Sequence, residues 1–523
     1  MKKATYLYIL TGFFGLVCLS FRATNNIQDP WKAPASADTL KSPFAASPQV
    51  LREGEKLYNI FCVSCHGPNG LGDGSPGKFK IEPANFHSKE VAAQTEGALF
   101  WKLTTGRGRS MPAFAAALSD EKRWQLIAYI RQFAKRGAVT VAKARPALPL
   151  SNYRIDAKAS SQYFALPARI TNVTNSETQV FMVDTVIKGL VRPWSMVFLP
   201  DNSILIAERA GRLALVRNGK ILPNSIGGNV PKGLRDLKLH PNFGQNKLIY
   251  ISYYEDATAS VPGYSILMRA RLEGDKLVDE KVLYKAGPFK GDGEWYGSKI
   301  AFDNKGHVFF TVGIKGSRTT AQDLSVPDGK TMRFNEDGTI PSDNPFVKTE
   351  GALPEIFTYG HRVHEGLVRD PKTGRIFSTE FGELGGDELN VIKAGANYGW
   401  PLVSHSLEYN GSIISESPFR EGVVAPVHHY AIAPGDLEFV YGNRYPAWNG
   451  DIFIGGLAAK ILYRVVIKND SFSHAERLLE NIGRVRDVKL APDQLLYVLT
   501  EDNGLLVRLV PVNKIQMQTK KNE

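Results

Sequence analysis

"MVFLPDNSILIAE", residues 196–208, reads as an apolar strand, a turn built from Pro, Asp, Asn and Ser, and a second apolar strand. The phrase returns as "LKLHPNFGQNKLIYISYY" from Leu237, "IAFDNKGHVFFTVG" from Ile300 and "LVRDPKTGRIFSTE" from Leu367. A looser copy, "FVYGNRYPAWNGDIFIGG", starts at Phe439, and "VKLAPDQLLYVLTED" starts at Val488. A small strand pair repeated six times needs a neighbouring copy to cover each apolar face. Residues 176–512 therefore predict a six-bladed β-propeller, with loops from several blades gathered over a central channel. Two packed sandwiches would use similar strands but give no reason for the turn phrase to recur.

About a third of the 523 residues precede this array, enough for a second domain. The chain begins with Lys2 and Lys3 ahead of an apolar run from Tyr6 to Phe21. That run is short for a membrane span of ~20 residues and suits the core of a signal peptide, residues 1–24. Export to the periplasm is the implication, with an uncleaved N-terminal membrane anchor as the alternative because no clean A-x-A site is present after the run. Val17 ahead of Cys18 argues against a lipid-modified cysteine. The net charge of +12 is spread along the chain, so it predicts solubility and no nucleic-acid partner.

Of 3 cysteines, Cys18 leaves with the leader, so Cys62 and Cys65 have no second pair for a four-cysteine zinc site and no remote disulfide partner. They stand in "FCVSCHGPNG", residues 61–70, and Cys-x-x-Cys-His is the attachment pattern of a c-type haem. Two thioethers would fix the porphyrin, and His66 would ligate the iron from one face. A thioredoxin-like redox pair is the alternative, against which stand export and the lack of a βαβ pattern. For the sixth ligand the candidates are Met111, in "GRGRSMPAF", and His87. Helical patterns flank the motif at "SPQVLREGEKLYNIF" (47–61) and "SDEKRWQLIAYIRQF" (119–133), and Gly54 lets the two helices cross closely. Together these features resemble a class I cytochrome c domain over residues 46–136. Residues 137–172, rich in Ala, Lys, Ser and Pro, read as a linker partly draped on the strand-rich domain after it. The fold class is thus multidomain: a small all-α cytochrome c domain, then an all-β six-bladed propeller.

Five phrases of the propeller carry a second resemblance: "RPWSMVFLPDNSILIAERAGRL" (192–213), "FNEDGTIPSDNPF" (334–346), "PEIFTYGHR" (354–362), "GGDELNVIKAGANYGWP" (385–401) and "RVRDVKLAPDQLLYVLTEDNG" (484–504). They are similar to the soluble PQQ-dependent aldose (glucose and sorbosone) dehydrogenases. In that family a quinone with three carboxylates lies over the channel beside calcium. The resemblance places Arg362, Arg484, Arg486 and Gln322 at the quinone, and arginine's planar fork suits carboxylates. It places calcium on backbone carbonyls near Gly382 and Glu383, and a structural calcium on Glu388 and the carbonyl of Tyr398.

This chain also departs from the family pattern. Trp295 or Tyr296, in "GEWYGSKIAF" (293–302), stands where the catalytic histidine is expected, and neither accepts a proton near pH 7 as imidazole does. Ile314 replaces the orienting Asp, Val363 an Asn, Ala458 a Lys and Glu383 a Pro. His364 and Glu365, in "GHRVHEGL", are the candidate replacement acid–base pair, and His428 and His429 are further candidates on a loop. The resemblances imply a periplasmic quinohaemoprotein that oxidises a sugar or alcohol with PQQ and hands electrons through haem c to a periplasmic acceptor. The alternative is an electron carrier with a working haem and a non-catalytic propeller that binds carbohydrate or a partner. The sequence leaves the oligomeric state open.

Overall fold

The structure, a computed structural model, describes residues 31–67, 69–72, 82–107, 111–115, 118–135, 149–258, 262–289, 297–315, 317–409, 412–415, 417 and 419–515. The leader, most of the linker's first half, and Trp295 and Tyr296 lie outside the described residues.

Among the described residues of the N-terminal domain are five α-helices: α1 (Pro48–Phe61), α2 (Val63–His66), α3 (Lys89–Ala92), α4 (Glu96–Thr105) and α5 (Asp120–Lys135). Ser47 starts α1, its hydroxyl accepting from the Val50 amide at 3.3 Å, with Pro48 in the first turn where no amide is needed. Thr95 caps α4 in the same way through the Ala98 amide at 3.0 Å. α1 crosses α5 at Gly54, where a Cβ would stand 2.2 Å from the Gln125 carbonyl oxygen. Only a hydrogen fits, so the glycine permits the helix pair. Tyr58, Leu103, Leu126, Ile127, Ile130 and Phe133 fill the core beneath that crossing.

The second domain is six antiparallel sheets, five of four strands and one of six. The innermost strands are Pro193–Phe198, Leu234–Leu239, Gly297–Phe302, His364–Arg369, Pro434–Phe439 and Val485–Leu490. Each neighbours the next, and the last returns to the first, closing a ring. Every copy of the repeated phrase begins inside one of these strands. The turn after each is chemical as well as compositional. In four blades its aspartate (Asp201, Asp303, Asp370, Asp493) accepts from the amide two residues on, at 2.7–3.0 Å.

Strand Val180–Ile187 pairs with the C-terminal strand Leu506–Lys514, so the start and end of the domain complete one blade. The second half of the linker is laid on that blade. Tyr153–Ile155 pairs with residues 512–514, and Arg508 donates to the carbonyls of Phe164 and Ala165. With Tyr163 and Phe164 buried, this half of the linker is held to the propeller by packing.

Candidate functional site

In the N-terminal domain α1 delivers Cys62, and α2 presents Cys65 and His66 one turn on. Cys62, Cys65, His66, Met111, Phe61 and Phe114 line one largely apolar crevice with about 700 Å³ of open space. His66 Nδ1 lies 2.9 Å from the Ala84 carbonyl, which fixes the ring and leaves Nε2 for a metal. Burial pulls the imidazole down to about 4, so it is neutral and its lone pair is available. Burial likewise pushes the Cys62 thiol up, which suits a sulfur destined for a thioether rather than a redox thiolate. Thiols, an oriented imidazole, a thioether and aromatic walls fit a covalently attached haem. His87 instead lies beside Phe133, with Nε2 2.8 Å from the Asn69 carbonyl, and is not among the crevice residues. Met111, which lines the crevice while His87 does not, is the residue that would serve as a second iron ligand.

In the propeller each innermost strand carries a register shift near its start, between Pro193 and Ser195, Leu234 and Asp236, Gly297 and Ile300, His364 and Gly366, Pro434 and Leu437, and Val485 and Asp487. A bulge re-aims the residue it releases. Four of the released residues, Trp194, Arg235, Glu365 and Arg486, meet at one end of the channel. Arg486 Nη1 donates to Glu365 at 2.8 Å, its Nη2 donates to Glu501 at 2.5 Å, and its guanidinium lies 3.7 Å from the Trp194 ring. Arg209 and Arg235 also face that ring, and Arg209 Nε donates to the Tyr254 hydroxyl at 2.7 Å. Arg192 and Arg484 approach Glu501 at 3.6 and 3.4 Å. Five guanidiniums about two carboxylates leave the mouth strongly positive, with Trp194 as a flat wall. These residues fit a planar aromatic anion.

The next layer down closes the channel. Lys299 bonds Asp236 and Asp436 at 3.4 and 3.1 Å, and Lys489 bonds Asp436 and Asp487 at 2.7 and 2.9 Å. Burial acts to lower Lys299, but the three aspartates hold it above the ordinary lysine range, so it stays charged. This salt-bridged plug makes the mouth a cup rather than a pore.

The other sequence candidates lie around this cup and beside it. Arg362 donates Nη1 to the Gly382 carbonyl at 2.8 Å, faces Trp400 and lies 3.8 Å from Glu383. The Ile314 amide donates to the Arg362 carbonyl. Gln322 exchanges hydrogen bonds with Asn397 and donates to the Trp400 carbonyl, which makes it a loop fastener. Arg484 is part-exposed at the rim. Glu380, Gly382, Glu388, Tyr398 and Ser404 line a small, partly open cavity that holds about one water-sized body, with Arg362 and Trp400 on its wall. Burial, reinforced by Glu380, pushes the Glu388 carboxyl up to about 8. A cation in this oxygen-lined cavity would reverse that shift, so the residues fit calcium.

Two expectations are corrected. His364 and Glu365 do not form a catalytic pair. The bulge between His364 and Gly366 releases Glu365 from the ladder toward Arg486 at the mouth, while His364, paired with Glu380, is fully buried beside His361. His428 and His429 are not on a loop: they lie in strand His428–Tyr430, buried, stacked on Phe472 and His405 respectively. Sequence reasoning missed Trp194, Arg209, Arg235 and Glu501. A signal existed for two of them, since Trp194, Arg235, Glu365 and Arg486 all stand two residues before the apolar residue that starts their blade's copy.

Comparison with known proteins agrees with this geometry. The family description Glucose / Sorbosone dehydrogenase matches residues 190–508, and Cytochrome C oxidase, cbb3-type, subunit III matches residues 49–130. Aldose sugar dehydrogenase YliI of Escherichia coli is 34% identical over 370 residues, covering 68% of this chain and 96% of its own. The crystal structure of the soluble aldose sugar dehydrogenase from Escherichia coli in the apo-form superposes with a TM-score of 0.61 at 33% identity, covering 63% of this chain and 99% of that one. The PQQ-bound form of aldose sugar dehydrogenase from Streptomyces coelicolor gives 0.50 at 25% identity, covering 64% and 98%.

Proposed function

Because the chain belongs to the glucose / sorbosone dehydrogenase family and carries a cytochrome c domain ahead of it, we propose that it is an exported, periplasmic dehydrogenase of sugars or related alcohols. In this reading it uses PQQ with calcium and passes substrate electrons to its own haem c, from which a periplasmic acceptor takes them. When bound, PQQ supplies a two-electron acceptor and haem c a one-electron centre. Support comes from the fusion and from one contact in particular. Leu407 of the propeller lines the cytochrome crevice, and its carbonyl accepts from the Leu384 amide at 3.1 Å. Leu384 is next to Glu383, whose carboxylate faces Arg362 and whose amide donates to Ser406 at 2.6 Å. Helix α2 also lies against strand His428–Tyr430. Leu407 thus ties the haem crevice to the loop that carries Glu383 beside Arg362.

Each group of residues has its own task in this scheme. Cys62 and Cys65 would hold the porphyrin, His66 and Met111 the iron, and methionine ligation raises the potential toward that of an electron acceptor. Arg486, Arg235, Arg209 and Arg484 would hold an anionic quinone against Trp194, while Glu388 and the Tyr398 carbonyl would hold calcium.

The test mixes oxidised, haem-loaded protein with PQQ, calcium and a panel of aldoses and alcohols, and follows the reduced-haem absorption. Reduction that needs both PQQ and a substrate supports the proposal. Leu407→Asp should then slow it severalfold with the haem spectrum unchanged. No reduction and no PQQ binding would favour the second reading, an electron carrier with a non-catalytic binding propeller. That reading is favoured by Glu365 and Glu501, which already occupy Arg486.

A further inference from the structure

We propose that His361, His364 and Glu380 form a binding site for a divalent transition metal of the zinc class, separate from haem and from any calcium. The three residues come from one corner of the fourth blade. His361 lies on the loop ahead of strand His364–Arg369, and Glu380 ends strand Ile376–Glu380, where it pairs in register with His364. One ligand atom from each lies within 4.8 Å of the others, and all three residues are buried. His361 Nδ1 is 2.7 Å, and His364 Nε2 3.8 Å, from the same Glu380 oxygen. Zinc bonds of ~2.0–2.1 Å in tetrahedral geometry set ligand atoms roughly 3.3 Å apart. The two separations from the Glu380 oxygen bracket that value, and the third pair lies within 4.8 Å, so side-chain adjustments of up to about 1.5 Å would bring the three ligands onto one ion.

His364 supplies an independent observation. Its Nδ1 is buried with no hydrogen-bond partner, and its Nε2 has only the Thr331 hydroxyl, at 3.3 Å, and the distant carboxylate. Nε2, whose one hydrogen-bond partner stands at 3.3 Å and whose ring lies 4.2 Å from a second imidazole, is the nitrogen a metal would take, with the proton on Nδ1. The surroundings are those of a metal site's outer layer. His361 Nε2 contacts the Thr358 hydroxyl at 2.8 Å, which leaves Nδ1 to a metal once Nε2 holds the proton, and Tyr398 stacks on the ring at 4.4 Å. Asn390 donates to one Glu380 oxygen at 2.9 Å, and the Arg362 amide approaches the other at 3.3 Å.

Two imidazole nitrogens and one carboxylate oxygen select zinc or a similar borderline ion over calcium, which takes six to eight oxygens. Glu380 also lines the adjoining cavity beside Glu388, where calcium would take the Glu388 carboxylate and the Tyr398 carbonyl, so the two ions would be neighbours told apart by their ligand types. Arg362 sits between the two histidine ligands in sequence, so a metal here would lock its backbone, which already bonds the Ile314 amide. This inference does not depend on the proposed dehydrogenase activity.

The test uses the full haem-loaded chain, stripped with EDTA, reloaded with zinc chloride, freed of excess by gel filtration and assayed for zinc against haem iron by mass spectrometry. The expected ratio is close to one zinc per iron, unchanged by millimolar calcium. His364→Ala and His361→Ala should lower it at least tenfold, while Glu388→Gln should keep it. Zinc below a tenth per iron in the wild-type protein would overturn the site, as would zinc retained by both histidine variants. Should the variants fail to fold, X-ray absorption at the zinc edge of the wild-type protein decides. Scattering from two imidazoles is expected, and a shell without imidazole refutes the proposal.

Discussion

Replacing Arg486 by methionine would leave Glu365 and Glu501 buried at the channel mouth without the cation they share. At 2.8 and 2.5 Å, each pair is worth a gross attraction of ~6 kcal/mol with an effective dielectric constant of about 20. Most of that is cancelled by the desolvation already incurred, and removing one partner of a buried pair costs ~3–5 kcal/mol. Arg235 still faces Glu365, and Arg192 and Arg484 still face Glu501, so the lower end, ~3 kcal/mol, is expected. Adding Glu365→Gln removes one stranded charge and should restore ~2 kcal/mol, a coupling that independent sites would not show. Burial holds Glu365 above the ordinary glutamate range although Arg486 pulls it down. Its folded value exceeds its unfolded one, so its stabilising contribution is complete below the unfolded value and is lost as pH rises through the folded value. Losing Arg486 raises the folded value further, so the Arg486→Met penalty should be larger at pH 8 than at pH 5. Urea unfolding of both single variants and the double variant, followed by far-ultraviolet circular dichroism, measures all three quantities. A loss below ~0.5 kcal/mol for Arg486→Met, or simple additivity in the double variant, would refute the reading of the mouth as a coupled cluster.

The same kinds of contact set other expectations. Gly54→Ala drives a methyl into the Gln125 carbonyl and should destabilise the cytochrome domain by ~1–3 kcal/mol, read from thermal unfolding at the haem band. Met111→Ala should lower the haem midpoint potential in spectroelectrochemical titration, whereas His87→Ala should leave it unchanged. Lys330 is buried among the carbonyls of Thr320, Ala321 and Asp328, and burial pulls its ammonium down to about 8. The unfolded chain binds that proton more readily between pH 8 and the unperturbed lysine value, so stability should climb with pH across this window. The climb is ~3 kcal/mol in wild type and absent in Lys330→Met. Equal pH dependence in the two proteins would remove Lys330 as its source.

Local chemistry made much of this protein legible in its sequence. Covalent attachment of haem needs two thiols and an imidazole at fixed spacing, so "CVSCH" announces the crevice without any fold. In four of the six blades an aspartate reaches the amide two residues on, so Asp201, Asp303, Asp370 and Asp493 mark strand pairs, and the six copies of the strand–turn–strand phrase mark the number of blades. The cup depends on contacts that such spacing cannot reach. Glu365 and Arg486 are 121 residues apart and meet only because the ring closes. Side-chain alternation along an innermost strand, broken by a bulge, sends Glu365 to the mouth and its neighbour His364 to the interior. Sequence adjacency therefore suggested an acid–base pair that strand geometry separates, while His361 and Glu380, 19 residues apart, are joined by strand pairing. Sequence alone determined the motif that binds haem and the repeat that makes the propeller. The tertiary structure decided which charges face one another, because burial and closure, not spacing, set those partners.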